Sequence, residues 1–197
     1  MYKFKVLSLK HREDRQEEFK KNFDGFDFEF FWGINGKEYQ VTEEDKRWIK
    51  GNFYEKVGIH IPSLLAANHS HIMLLECCIV DDVPYVIFED DTKLYRPVDF
   101  SFEEIVSRDL DVFWLVPDKP SILAYIVWPS GARKLIDAVN KEGGLEYGLD
   151  YMWHRIKGTG LLKEDQLDKD YFWQVAGDES SDITTLLHYG FKEKRLY

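Results

Sequence analysis

Glu89, Asp90 and Asp91 stand in a row at the end of an apolar run over residues 83–88. Three neighbouring carboxylates repel one another unless a positive group joins them. At the carboxyl end of a buried strand in an open α/β sheet they would face the ligand crevice. Hard oxygen ligands there suit Mg²⁺ or Mn²⁺ bridging to a diphosphate; a solvated acidic turn is the alternative. Arg12 and Arg15, three apart, share a helix face and can meet an anionic group or pair with Glu17 or Glu18. Asp150 sits among Tyr147, Tyr151 and Trp153. Such company can raise a carboxyl pKa and suit it to general-base work, against the plainer role of a helix N-terminal acid. His69 and His71 are two apart and do not share a helix face, so one of them lining a polar pocket fits better than a joint metal site.

Other chemistries fall away. Gly-x-Ser-x-Gly is absent around Ser130, and neither Gly-x-x-x-x-Gly-Lys nor Gly-x-Gly-x-x-Gly occurs, so nucleophile-elbow, P-loop and dinucleotide sites are not expected.

The elements that must position these groups follow from periodicity. Alternation predicts a strand over 3–9, and a charged stretch predicts a surface helix over 11–23. A second, aromatic strand covers 26–32. Thr42 followed by three acids reads as a capped helix start. Pro62 opens the longest apolar helix, to about residue 80, and the continuous apolar run 83–88 reads as a central strand covered on both faces. Strands over 110–116 and 122–128, helices over 129–140 and 149–156, a strand over 171–176 and a tail over 186–197 complete the order. Gly143-Gly144 stops the first of those helices. The sum is an α/β domain with a mixed sheet.

Length and composition set the frame. The chain has 197 residues and a formal net charge of −10, consistent with one domain over 1–197, itself a domain of a longer chain in the alternative. Its acidity argues against nucleic acid as a partner. Aromatic residues reach 16%; Tyr125, Trp128 and Trp153 are candidates for stacking on sugars, with core packing the commoner fate. Cys77 and Cys78 are adjacent and poorly placed to bridge, which fits a reducing, cytoplasmic setting. No stretch approaches the roughly 20 apolar residues of a transmembrane segment, and no signal peptide is evident.

Several motifs in order resemble glycosyltransferase family 25, the lipooligosaccharide-type and collagen galactosyltransferases. They are Val6-Leu7-Ser8-Leu9-Lys10 with Arg12 and Arg15, the aromatic strand entering Gly33-Ile34-Asn35-Gly36, Asn68-His69-Ser70-His71, and Phe88-Glu89-Asp90-Asp91. Ala124-Tyr125, the segment from Ser130 to Leu135, Asp150, and Ser181-Asp182-Ile183 continue the series. His69 departs from the family's Leu-Ser-His, Ala66-Ala67 replaces its frequent Gly-Cys pair, and the chain is short for the family. The resemblance implies a GT-A-type, Rossmann-like domain with a mixed, mostly parallel sheet flanked by helices. It implies inverting transfer of galactose or glucose from a UDP-sugar donor to a glycan or other hydroxyl acceptor, as in lipopolysaccharide biosynthesis. In that scheme Ser8, Leu9, Arg12, Arg15, Ser70, His71, Glu89 and Asp90 bind the donor. Asp91, Asp90 and His188 hold Mn²⁺ or Mg²⁺, and Asp150 is the base. Two other readings stay open: a non-catalytic nucleotide-sugar or glycan-binding domain, and a metal-dependent nucleotidyltransferase or phosphoesterase.

Overall fold

Strand β1 (Lys3–Ser8) is the spine of the site, and its buried residues Phe4, Val6, Leu7 and Ser8 explain why it lies inside the sheet. The computed structural model describes residues 1–48, 61–117, 121–142 and 148–174. After β1 come α1 (Glu13–Asn22), β2 (Glu29–Trp32), α2 (Glu43–Trp48), α3 (Ile61–Asp81), β3 (Tyr85–Glu89) and β4 (Thr92–Leu94). Then follow α4 (Phe102–Val106), β5 (Val112–Trp114), β6 (Ala124–Val127), α5 (Pro129–Glu142), α6 (Leu149–Ile156), β7 (Glu164–Gln166) and β8 (Phe172–Gln174).

The main sheet has six strands in the order β2-β1-β3-β6-β5-β7, and β4 and β8 form a separate antiparallel pair. Only β6 runs against the rest, pairing antiparallel with both β3 and β5, while the β1–β2, β1–β3 and β5–β7 pairs are parallel. This is a Rossmann-like α/β architecture with a mixed, mostly parallel sheet: the sequence pattern implied the α/β class and the mixed sheet, and the family resemblance implied the rest.

Each face of the sheet carries its own core. On one, Leu7, Ile87, Tyr125 and Trp114 pack under α3, α5 and α6 through Leu74, Leu75, Leu135 and Trp153. On the other, Phe4, Val86, Phe88 and Ile126 meet Phe19 and Phe23 of α1, Phe102 of α4 and Phe172 of β8. Phe19 and Phe23 stack at 4.1 Å. The aromatic surplus of the sequence is spent here, and Tyr125, Trp128 and Trp153 are also buried. Those three belong to the core and do not present faces for sugars.

Local signals explain the element ends. The Asp45 N–H donates to Thr42 Oγ1 at 3.1 Å, and the Thr42 N–H returns a bond to the Asp45 carboxylate at 2.7 Å. This reciprocal capping satisfies donors that a helix start otherwise leaves orphaned. Helix α1 has Glu13 and Asp14 in its first turn and Lys20 and Lys21 in its last, each sign matching the helix dipole.

One sequence expectation needs correction. Ile61–Asp81 is 21 residues long with a mean hydropathy of 1.3, enough by length and composition to cross a membrane. Half of that stretch is buried within the fold, including Asn68, Ser70 and His71, so its apolar character serves the core against β1, β3 and α5. Three elements escaped the periodicity reading: β4, α4 and β7. They are three, five and three residues long, too short for a period to show. Strand β7 is Glu-Asp-Gln at the sheet's rim, a place where charged side chains are tolerated. The segments 143–147, 181–183 and 186–197, with Tyr147 and His188, lie outside the described residues.

Candidate active site

The strand order turns back at β1, which has β2 on one side and β3 on the other, while α1 and α3 cover opposite faces. A switch point of this kind leaves a crevice beyond the carboxyl ends of the strands. Leu7, Ser8 and Leu9 from β1 and its exit line one wall, and Glu89, Asp90 and Asp91 from the end of β3 the other. Gly33, Ile34 and Gly36 follow β2, Ser63, Ala67 and Ser70 come from one face of α3, and Arg15 reaches in from α1.

Close backbone approach builds this cleft. A Cβ on Gly36 would lie 2.3 Å from Ser63 Cα, and one on Gly33 would lie 2.9 Å from a Leu7 methyl. The loop after β2 can therefore lie on α3 only as glycine at 36. Ser70 Oγ pins the same loop, accepting the Ile34 N–H at 2.9 Å while donating to Ala66 O at 2.6 Å.

Asp90 is 7% exposed. Ser8 Oγ donates to its Oδ2 at 2.7 Å, and Arg15 Nη1 donates to its Oδ1 at 3.2 Å. Asp91 Oδ2 stands 3.6 Å from the same Arg15 nitrogen. Burial raises the Asp90 pKa above the usual carboxylate value, opposed by Ser8 and Arg15. Arg15 is thus the positive group that three adjacent carboxylates require.

Glu89 turns inward. Its Oε1 lies 3.3 Å from His71 Nε2, and His71 Nδ1 lies 3.1 Å from Tyr125 Oη. Burial first, then the charges of Asp91, Asp150 and Asp90, push Glu89 well above the ordinary carboxyl range, with Arg15 pulling the other way. Burial takes His71 down to about 3, so its ring is neutral.

Asp150 stands on α6, outside the lining of this cleft but near enough for its charge to act on Glu89. Its Oδ1 accepts the Ile122 N–H at 2.7 Å, and the next residue, Leu123, accepts the Glu89 N–H at 2.9 Å. Helix α6 is held there by Asn68 Oδ1, which accepts the Leu149 N–H at 3.3 Å, and by Gly148 with φ +90 against Leu64 and Asn68. Surrounding protein raises the Asp150 pKa, and the Ile122 N–H opposes it.

Residues 1–116 match the family model described as glycosyltransferase family 25 (LPS biosynthesis protein). The chain belongs to glycosyltransferase family 25. A comparison with curated proteins finds no match. Membership makes the family 25 chain a glycosyltransferase by descent, with a sugar donor and a glycan acceptor in the general sense. The matched segment contains every cleft residue named from Leu7 to Asp91; Asp150 lies beyond it.

Of the site residues expected in this family 25 chain, Ser8, Leu9, Arg15, Ser70, Glu89, Asp90 and Asp91 line one cleft. Arg12 is turned aside: Nε and Nη2 donate to Asp14 at 3.0 and 2.9 Å, lowering Asp14 to about 2. Asp14 is thus one partner of Arg12, and Glu18 pairs with Lys93. His71 is fully buried behind Glu89 rather than on the cleft wall. His69 lines a different pocket, with Nε2 2.8 Å from Asp45 Oδ1. Gly33, Gly36 and Ser63 are wall residues that the sequence alone did not reveal. The Gly-Ile-Asn-Gly turn was the available signal, but which helix it touches is a tertiary fact.

Among the described residues no three His, Cys, Asp or Glu side chains form a ready-made cage for a metal. Mg²⁺-type sites seldom need one, since one or two carboxylates plus substrate phosphates and water complete the shell. Asp91 at the cleft with Asp90 beside it meets that smaller requirement.

Proposed function

We propose that this chain is an inverting, metal-dependent hexosyltransferase of GT-A type, catalytic as one domain. It would move galactose or glucose from a UDP-sugar to a hydroxyl of a glycan, with lipopolysaccharide-type glycans the acceptor class that the family description favours. The observation that carries this reading is the Ser8–Asp90–Arg15–Asp91 cluster at the switch-point crevice.

In the transfer, the acceptor hydroxyl oxygen attacks the anomeric carbon from behind, and the bond from that carbon to the diphosphate oxygen breaks. Asp150 takes the hydroxyl proton. A carboxyl with a raised pKa suits that task because the base works best near the operating pH, and its charge is already felt at Glu89. Arg15 supplies positive charge to the diphosphate side, where charge develops as UDP leaves. Mn²⁺ or Mg²⁺ held by Asp91 and Asp90 would act as a Lewis acid toward the same diphosphate. His188 is carried as a further ligand on the family resemblance alone. Ser8, Leu9 and Ser70 line the donor side, and Arg12 acts on it through Asp14 and the start of α1. Free Cys77 and Cys78 favour a reducing, cytoplasmic site of action, and the net charge of −10 leaves nucleic acid out.

Calorimetric titration with UDP and UDP-sugars, with and without Mn²⁺, tests the reading on wild type and Asp91→Ala. The expected result is metal-dependent binding that the substitution abolishes. No binding to any nucleotide sugar would refute it, and binding without UDP release on supplying acceptors would leave a sugar-nucleotide-binding domain instead.

A further inference from the structure

We propose that Tyr125 and His71 form a buried positioning pair that aims the Glu89 carboxyl at the transferred sugar of the donor. This rests on the glycosyl-transfer reading and names one contact within it.

His71 on α3 and Tyr125 on β6 are both fully buried. Trp153 packs edge-on against each, with ring centroids 6.4 and 5.0 Å away. A buried imidazole and a buried phenol must each find partners. Among the described residues the Tyr125 hydroxyl has His71 Nδ1 as its hydrogen-bond partner, at 3.1 Å. If Tyr125 donates, Nδ1 accepts, the ring proton resides on Nε2, and Nε2–H donates to Glu89 Oε1 at 3.3 Å. The reverse order would leave the phenol proton unused in the core, an unmade bond that a buried donor does not tolerate cheaply. The neutral state of His71 agrees with a single ring proton.

The consequence falls on Glu89. With Oε1 engaged by His71, Oε2 is the oxygen left to this cleft-lining residue for a ligand. A carboxyl oxygen held at one angle selects a sugar with a hydroxyl at the matching position. Sites built around such a bond discriminate strongly against analogues lacking the hydroxyl. His71 is therefore a positioning residue: it acts through Glu89 and never meets the donor.

The test combines a substrate-free and a kinetic readout on the full chain. Long-range ¹H–¹⁵N spectra of wild type should show the neutral Nε2–H tautomer of His71, and Tyr125→Phe should disturb it. In steady-state transfer, His71→Leu should lower kcat about 3- to 10-fold, the range for losing an ordinary hydrogen bond. Donor KM and the UDP dissociation constant should stay within about twofold, since the diphosphate contacts are intact. His71→Gln, whose amide can replace the Nε2–H, should recover much of the loss. In a Glu89→Gln background, His71→Leu should change kcat by less than about twofold, because the two act as a unit. An Nδ1–H tautomer, or additive effects of His71→Leu and Glu89→Gln in an active enzyme, would overturn the pairing alone. Absence of transfer by the wild type with every UDP-sugar and acceptor tried would overturn the glycosyl-transfer reading and the sugar contact with it.

Discussion

Ser8→Ala removes one oxygen and tests the electrostatics of the site. Ser8 is 3% exposed, and its hydroxyl gives Asp90 Oδ2 a 2.7 Å bond. A hydrogen bond to a charged group contributes about 1.5–3 kcal/mol, against roughly 0.5–1.5 for a neutral one. Burial raises the folded-state pKa of Asp90, and Ser8 and Arg15 hold it down. Because the folded state binds this proton more tightly than the unfolded chain does, Asp90 destabilises the fold increasingly as pH rises above its unfolded value near 4. Losing Ser8 lifts the folded pKa further. The deficit of Ser8→Ala relative to wild type should therefore be greatest at neutral pH, about 1.5–3 kcal/mol, and shrink to about 1 kcal/mol or less near pH 3.5. For a chain of this size the neutral-pH loss corresponds to roughly 3–12 °C in Tm. Paired urea titrations at the two pH values, read at constant m, measure it. Equal deficits at both pH values would refute the reasoning, since Asp90 would then be neutral throughout.

Asp150→Asn should reduce transfer by at least about 100-fold, the scale of general-base catalysis, while UDP affinity measured by calorimetry stays unchanged; retained turnover removes Asp150 as base. Gly36→Ala places a carbon 2.3 Å from Ser63 Cα, so both Tm and UDP affinity should fall, whereas Gly25→Ala, with φ +85 and open space around it, should cost stability alone, about 1 kcal/mol. Phe19→Ala, in the stacked aromatic core, should lose about 3–5 kcal/mol in denaturant titrations. Burial would raise Asp45, but bonds from the Thr42 N–H, His69, the Thr42 hydroxyl and Tyr39 outweigh it and bring the pKa to about 2. Its contribution, on the order of 2 kcal/mol, is present above pH 4 and lost as pH falls from about 4 to about 2. Asp45→Asn should flatten the wild-type stability profile across that window.

Where periodicity spoke, the chain was legible. The 149–156 helix, the Pro129 helix start, the doubly covered strand ending at Glu89 and the α/β class all follow from patterns a few residues long, because burial of one face imposes a period on the residues themselves. The chemistry of the triplet was legible for the same kind of reason: three adjacent like charges need a counter-charge wherever they fold. What local pattern does not encode is which distant group answers. Arg15 and not Arg12 reaches Asp90, because α1 crosses the face of the sheet at an angle set by Phe19 and Phe23 packing on Phe88. His71 lies behind Glu89 instead of beside the donor, because α3 runs beneath the sheet and turns that face inward. Gly36 is compulsory because α3 passes against it. These are contacts between residues 18 to 75 positions apart, decided by close packing of layers, and only the folded chain brings them together.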